Sequence, residues 1–93
     1  MAVGIRIKLP GIDQETFDKV NDHVDLADPP NGLIFHSSGP IDGGWGIIDF
    51  WESRDAFDAF FGSRVKAAVD ATGAQMSGAP DVKEFPVHEL YKS

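Results

Sequence analysis

The chain contains no cysteine, which removes disulfide frameworks and thiolate chemistry together. It has no apolar run approaching the roughly 20 residues that span a bilayer, so no membrane role is expected. Basic residues are few and scattered (Arg6, Lys8, Lys19, Arg54, Arg64 and Lys66 among the eight), and the net charge is −7. No basic cluster exists to displace counterions from a phosphate backbone, so no nucleic-acid partner is expected. The N-terminal MAVGIRIKLPG has charge inside its apolar stretch and no h-region, which predicts no signal peptide and a cytoplasmic protein. HExxH, GxGxxG, P-loop and EF-hand patterns are missing as well, so neither a metal nor a cofactor is expected.

What is present is an ordinary globular composition. Of the 93 residues, 42% are hydrophobic and 25% charged, enough apolar material to rule out disorder. The length suits one domain over residues 1–93 with no room for a second core.

Periodicity divides the chain into six elements. VGIRIKL (3–9) alternates as a half-buried strand and ends at Pro10-Gly11. Asp13 is placed to cap a helix reaching about Leu26, in which Phe17, Val20 and Val24 recur at helical spacing. Strands are predicted over about 33–38 and 45–51, joined by a turn at Ile41–Gly43. Ser53 can cap a second helix with Phe57, Phe60, Phe61, Val65, Ala68 and Val69 as its core stripe and Gly73 as its stop. Gly62 inside that helix disfavours it by about 1 kcal/mol against alanine and is expected to kink or divide it. A last strand is predicted over 82–91, weakened by Pro86. The order β-α-β-β-α-β with short crossovers predicts an α+β, ferredoxin-like domain: a four-stranded antiparallel sheet with two helices on one face.

The chemistry is concentrated in NGLIFHSSGPIDGGWGIIDFWE, Asn31 to Glu52. Folding that hairpin about its turn brings His36 opposite Asp49, and an imidazole oriented by a carboxylate is an acid/base device. The alternation is expected to send Val3, Ile5, Ile7, Phe35, Ile48, Phe50, Phe85 and Val87 to the helices. Arg6, His36, Ser38, Trp45, Ile47, Asp49, Trp51, Glu84 and His88 then share the uncovered side. That much apolar surface is too large to leave in water, so a second copy is expected to cover it, enclosing a partly polar pocket. In this arrangement His36, Asp49, His88 and Arg6 are the candidate catalytic residues. Trp45, Trp51, Ser38 and Tyr91 are the candidate substrate contacts.

The run from Gly32 to Phe61, with PVHEL at Pro86–Leu90, resembles the antibiotic biosynthesis monooxygenase group of the dimeric α+β barrel superfamily. The resemblance implies a homodimer with a small-molecule pocket. It also implies cofactor-free chemistry, oxygenation or cyclisation, on aromatic or polyketide-like substrates. Such monooxygenases tend to set an asparagine beside a pocket tryptophan. The only asparagines here, Asn21 and Asn31, fall in a predicted helix and a turn, which favours redox-neutral proton transfer. The function expected is therefore a cofactor-independent enzyme in which His36, oriented by Asp49, removes a proton. The alternative is a non-catalytic small-molecule- or haem-binding dimer or a stress-associated scaffold.

Overall fold

The computed structural model describes residues 2–91. Strand β1 (Val3–Pro10) leads to helix α1 (Gln14–Val24), followed by strands β2 (Leu33–Ile41) and β3 (Gly44–Trp51). A second helical rod then runs through α2 (Arg54–Phe60), a π-helical turn (Phe61–Val65) and α3 (Lys66–Thr72), and strand β4 (Asp81–Pro86) ends the fold. The sheet order is β2-β3-β1-β4, every neighbour antiparallel, with the helices on one side. This is the ferredoxin-like α+β arrangement that the element order predicts.

Local chemistry sets the boundaries. The Asp13 carboxylate accepts from Thr16 N–H at 2.8 Å and the Ser53 hydroxyl from Ala56 N–H at 3.1 Å, so both helices begin on a side-chain cap. Gly73 takes up the left-handed conformation that ends α3. The backbone at Gly62 stays helical, and the division there is a π turn rather than a break. The last strand is shorter than its pattern predicts. It ends at Pro86, which brings no N–H to the ladder; Val87 N–H makes one further bond to Ala2 O at 2.9 Å, and His88–Tyr91 lie outside the strand.

The largest departure from the sequence pattern is the choice of sheet face. Ile5 stands opposite Asp49, Ile7 opposite Ile47 and Val3 opposite Trp51, so these residues share one face. That face meets the helices: Ile5, Ile7, Trp51 and Phe57 form the buried core, with Phe60 and Phe61 packed against it. Ile48, Phe50, Phe35 and Phe85, expected inside, lie on the open side, where Ile48 is 51% exposed and Phe35 54%. Both faces of β3 carry large apolar groups, so alternation cannot choose between them. Burying two indoles removes more apolar area from water than burying Ile48 and Phe50.

A β-bulge between Leu33 and Phe35 completes the arrangement. It puts Leu33 opposite Trp51 on the helix side and Phe35 opposite Phe50 on the open side, which leaves His36 facing the helices. On the open side, Phe50 stands between Phe35 and Phe85, with ring centroids 6.3 and 6.4 Å away. The Phe85 ring lies over Gly4 so closely that any Cβ there would collide with it.

A buried imidazole–carboxylate pair beneath the helices

β3 is a central strand, and Asp49 sits in its middle at 3% exposure. A carboxylate that deep requires donors to offset its lost hydration. It has two. His36 Nδ1 lies 2.6 Å from Oδ1, and Trp51 Nε1 donates to Oδ2 at 3.3 Å. His36 is held by direct cross-strand pairing with Asp49 and Trp51 by the i+2 spacing along β3. A carboxylate at that distance holds the proton on Nδ1, which leaves Nε2 with its lone pair.

The pair lines a cavity of about 480 Å³ between sheet and helices, inside one protomer. Its walls are mainly apolar: Ile7 and Ile47 from the sheet, Phe17 from α1, Phe60 and Phe61 from the second rod, with Trp51 beneath. Trp51 is fully buried and packs against Phe60, ring centroids 5.2 Å apart. The exposed polar members of the wall are Lys66 and Asp70. In such a chamber a proton taken up by Nε2 would leave an imidazolium beside a buried carboxylate, where low dielectric strengthens their attraction.

The other sequence candidates lie elsewhere. Arg6 is on the open face, opposite Ile48, and pairs with Asp81 at 3.2 Å, so the sheet separates it from Asp49. The expectation that it shares a face with His36 fails because β2 and β3 turn His36 and Asp49 toward the helices, beside Ile5 and Ile7, while Arg6 stays on the uncovered side as expected. Trp45 is buried on the helix side, but it stacks on Phe17 at 5.1 Å, behind the cavity wall. Ser38 is exposed in a shallow depression beside Gly39 and Pro40, outside this cavity. His88 and Tyr91 follow the end of β4 in the exposed tail, Tyr91 at 84% exposure, and neither lines the chamber. His36 and Asp49, expected on the uncovered face, therefore lie instead at a cavity beneath the helices. Among the described residues no group of three or more His, Asp or Glu is placed to hold a metal ion.

Asn21 is the residue that sequence reasoning set aside and the structure restores. It lies on α1 and lines the chamber together with Trp51. Its spacing contained a usable signal: Asn21 follows Val20 and precedes Val24 by three, at the margin of the apolar stripe of α1. Phe17, Phe60, Phe61, Val65 and Val69 read correctly as inward-facing, but the gap between their two stripes is not visible in sequence.

No family model matches the sequence, and no curated protein matches it either. Solved structures do match in fold. A candidate antibiotic biosynthesis monooxygenase from Caulobacter crescentus has a TM-score of 0.75 at 22% identity, covering 95% of this chain and 91% of its own. The cofactor-independent oxygenase SnoaB of Streptomyces nogalater has a TM-score of 0.62 at 14% identity, covering 99% and 96%. A dimeric ferredoxin-like protein of unknown function from Thermobifida fusca has a TM-score of 0.67 at 15% identity, covering 94% and 92%. The chain therefore has the ferredoxin-like α+β fold found in proteins of the antibiotic biosynthesis monooxygenase type.

Proposed function

We propose that this protein is a cofactor-independent enzyme that removes a proton from a flat, largely apolar substrate, of aromatic or polyketide type, held between sheet and helices. The observation that carries the reading is the 2.6 Å contact between His36 and the buried Asp49 at the wall of an otherwise apolar chamber. Ionisable groups are expensive in such a place unless something uses them.

The first step is transfer of an acidic C–H or phenolic proton to His36 Nε2. Asp49 keeps the imidazole in the required tautomer and balances the imidazolium that forms. Trp51, Phe60 and Phe61 give the substrate ring apolar surfaces to lie against. The resulting carbanion or enolate has two outcomes. Attack on a carbonyl of the same molecule closes a ring without redox change. Reaction with dioxygen inserts one oxygen atom as a carbonyl and releases the other as water. Asn21 in the chamber wall removes the sequence-level reason to disfavour oxygenation, and the fold shared with a cofactor-independent oxygenase supports keeping it.

The partner in this reading is a second copy. Ile48, Phe35 and Phe85 make an apolar patch on the open sheet face, and a similar fold is described as dimeric. In this reading the dimer interface and the catalytic chamber lie on opposite sides of the sheet.

The test is turnover of an anthrone-type substrate, followed by oxygen uptake and product absorbance, in wild type and Asp49→Asn. Loss of roughly 10²–10⁴-fold in kcat with little change in binding supports proton transfer by the pair. Ligand binding in both proteins with no turnover in either would make the chain a carrier instead.

A further inference from the structure

We infer that Gly62 is the doorway of the chamber, and that the absence of a side chain there determines which molecules enter. This rests on the chamber being the ligand site proposed above, though not on the chemistry assigned to His36.

Glycine at this position has no structural explanation. It lies in the middle of a helical rod, where glycine is disfavoured, and its backbone is not left-handed. A Cβ built on it meets nothing within 4 Å, so no close approach of another group excludes a side chain. Gly4 provides the contrast, because the Phe85 ring occupies the space its Cβ would need. A position where alanine would meet no strain and no collision, and would gain helix propensity, yet which lacks the methyl, calls for another reason.

The cavity supplies it. The rest of the chamber's wall is buried or half-buried, but Gly62, Lys66, Asp70 and Met76 both line it and are exposed to solvent. Three of them fall at i, i+4 and i+8 of one rod and so form a single stripe. That stripe marks the mouth. Gly62 stands at one end, within the π turn, next to the apolar Phe61 and Val65, while Lys66 and Asp70 form the polar end. An apolar ligand would pass the bare backbone at Gly62 more readily than the charged end of the stripe. Neighbouring Arg64 holds the π turn in place by donating to the carbonyls of Val24, Asp25 and Asp28, at 2.6–3.1 Å. The doorway therefore has a fixed frame on the α1 side.

The test uses the neutral fluorophore N-phenyl-1-naphthylamine with the full chain in stopped-flow mixing. Variants are Gly62→Ala, Gly62→Leu and Gly62→Phe, with Ser63→Phe as an exposed control outside the cavity wall. A doorway slows passage both ways, so association and dissociation rates should fall together along the series, by roughly tenfold at phenylalanine, with Kd unchanged. The alanine variant should also melt at a higher temperature. A residue with only a structural role would not scale both rates equally. Unchanged rates in folded Gly62→Phe would overturn the inference, as would a weaker Kd arising from faster dissociation alone. If the phenylalanine variant does not fold, the leucine variant provides the same readout. Failure of wild type to bind the probe would overturn both the doorway and the ligand chamber. Probe kinetics insensitive to Gly62, with turnover still dependent on Asp49, would remove the doorway alone.

Discussion

Trp51 and Asp49 lie two residues apart on one face of β3, and the indole Nε1 donates to the carboxylate Oδ2 at 3.3 Å. One residue thereby acts as core anchor, chamber wall and partner to the carboxylate that orients the candidate base. Trp51→Phe separates these roles, because it retains an aromatic ring and deletes the donor. Leaving Asp49 one partner short should destabilise the fold by about 1–3 kcal/mol, read as a lower urea midpoint at constant m. A drop in kcat at unchanged KM should accompany it, since the substrate keeps an aromatic wall while the carboxylate is less firmly held.

Asp49→Asn should change the tautomer of His36 more than it changes the fold. The wild-type carboxylate accepts from Nδ1–H, whereas an asparagine amide can present either a donor or an acceptor to that nitrogen. Imidazole ¹⁵N shifts of His36 should show one Nδ1–H form in wild type and a mixture or the opposite form in the variant. Identical spectra would mean that the carboxylate does not orient the ring.

His36→Ala and Phe57→Ala separate site from core. Phe57 is 3% exposed and packs edge-on against Trp51, centroids 5.9 Å apart, so truncation should cost about 3–5 kcal/mol. Removing His36 creates little cavity but takes one donor from a buried carboxylate, a loss of about 1–3 kcal/mol. Equal losses in chemical denaturation would place the imidazole in the structural core rather than in a site.

These contrasts show what was legible in the residues alone. Asp13, Ser53 and Gly73 announced the helix ends because capping is a local interaction between neighbours in sequence. His36 opposite Asp49 could be read from the turn, since a short hairpin fixes its own register. The buried face could not. In GWGIIDFW, Trp45, Ile47 and Trp51 compete with Ile48 and Phe50, and only the pairing of β3 with distant β1 settles which set meets the helices. Arg6 moved away from the site with that one decision. The chamber was hidden for a related reason: an apolar stripe looks the same whether it touches its partner or stands back from it.

Asp13 gives a pH dependence with a definite sign. Hydrogen bonds from Thr16 N–H and the Thr16 side chain hold its carboxyl below the ordinary value of 3.8. A carboxyl lowered in the folded state adds stability that is fully present above the unfolded value and disappears as pH falls through the folded one. Asp13→Ala should therefore melt below wild type at pH 7, with the gap closing as the pH is lowered below 3.8. Asp13→Asn, which still caps but does not titrate there, should show a smaller gap at neutral pH. Thermal melts across that range provide the check.

Ile48→Lys tests the second copy without touching the chamber. Ile48 lies on the open face of the central strand β3, opposite Arg6 and Ser37, and is 51% exposed, so the protomer loses little packing on substitution. Against a twofold-related copy, a lysine there would bring a second cation near Arg6 of each protomer and bury it in an apolar contact. The dimer should weaken by about 2 kcal/mol or roughly 30-fold in Kd, while far-ultraviolet circular dichroism stays unchanged. Sedimentation velocity over a dilution series measures this directly. A wild type that sediments as a monomer at every concentration would show that the patch of Phe35, Ile48 and Phe85 is not covered by a second copy.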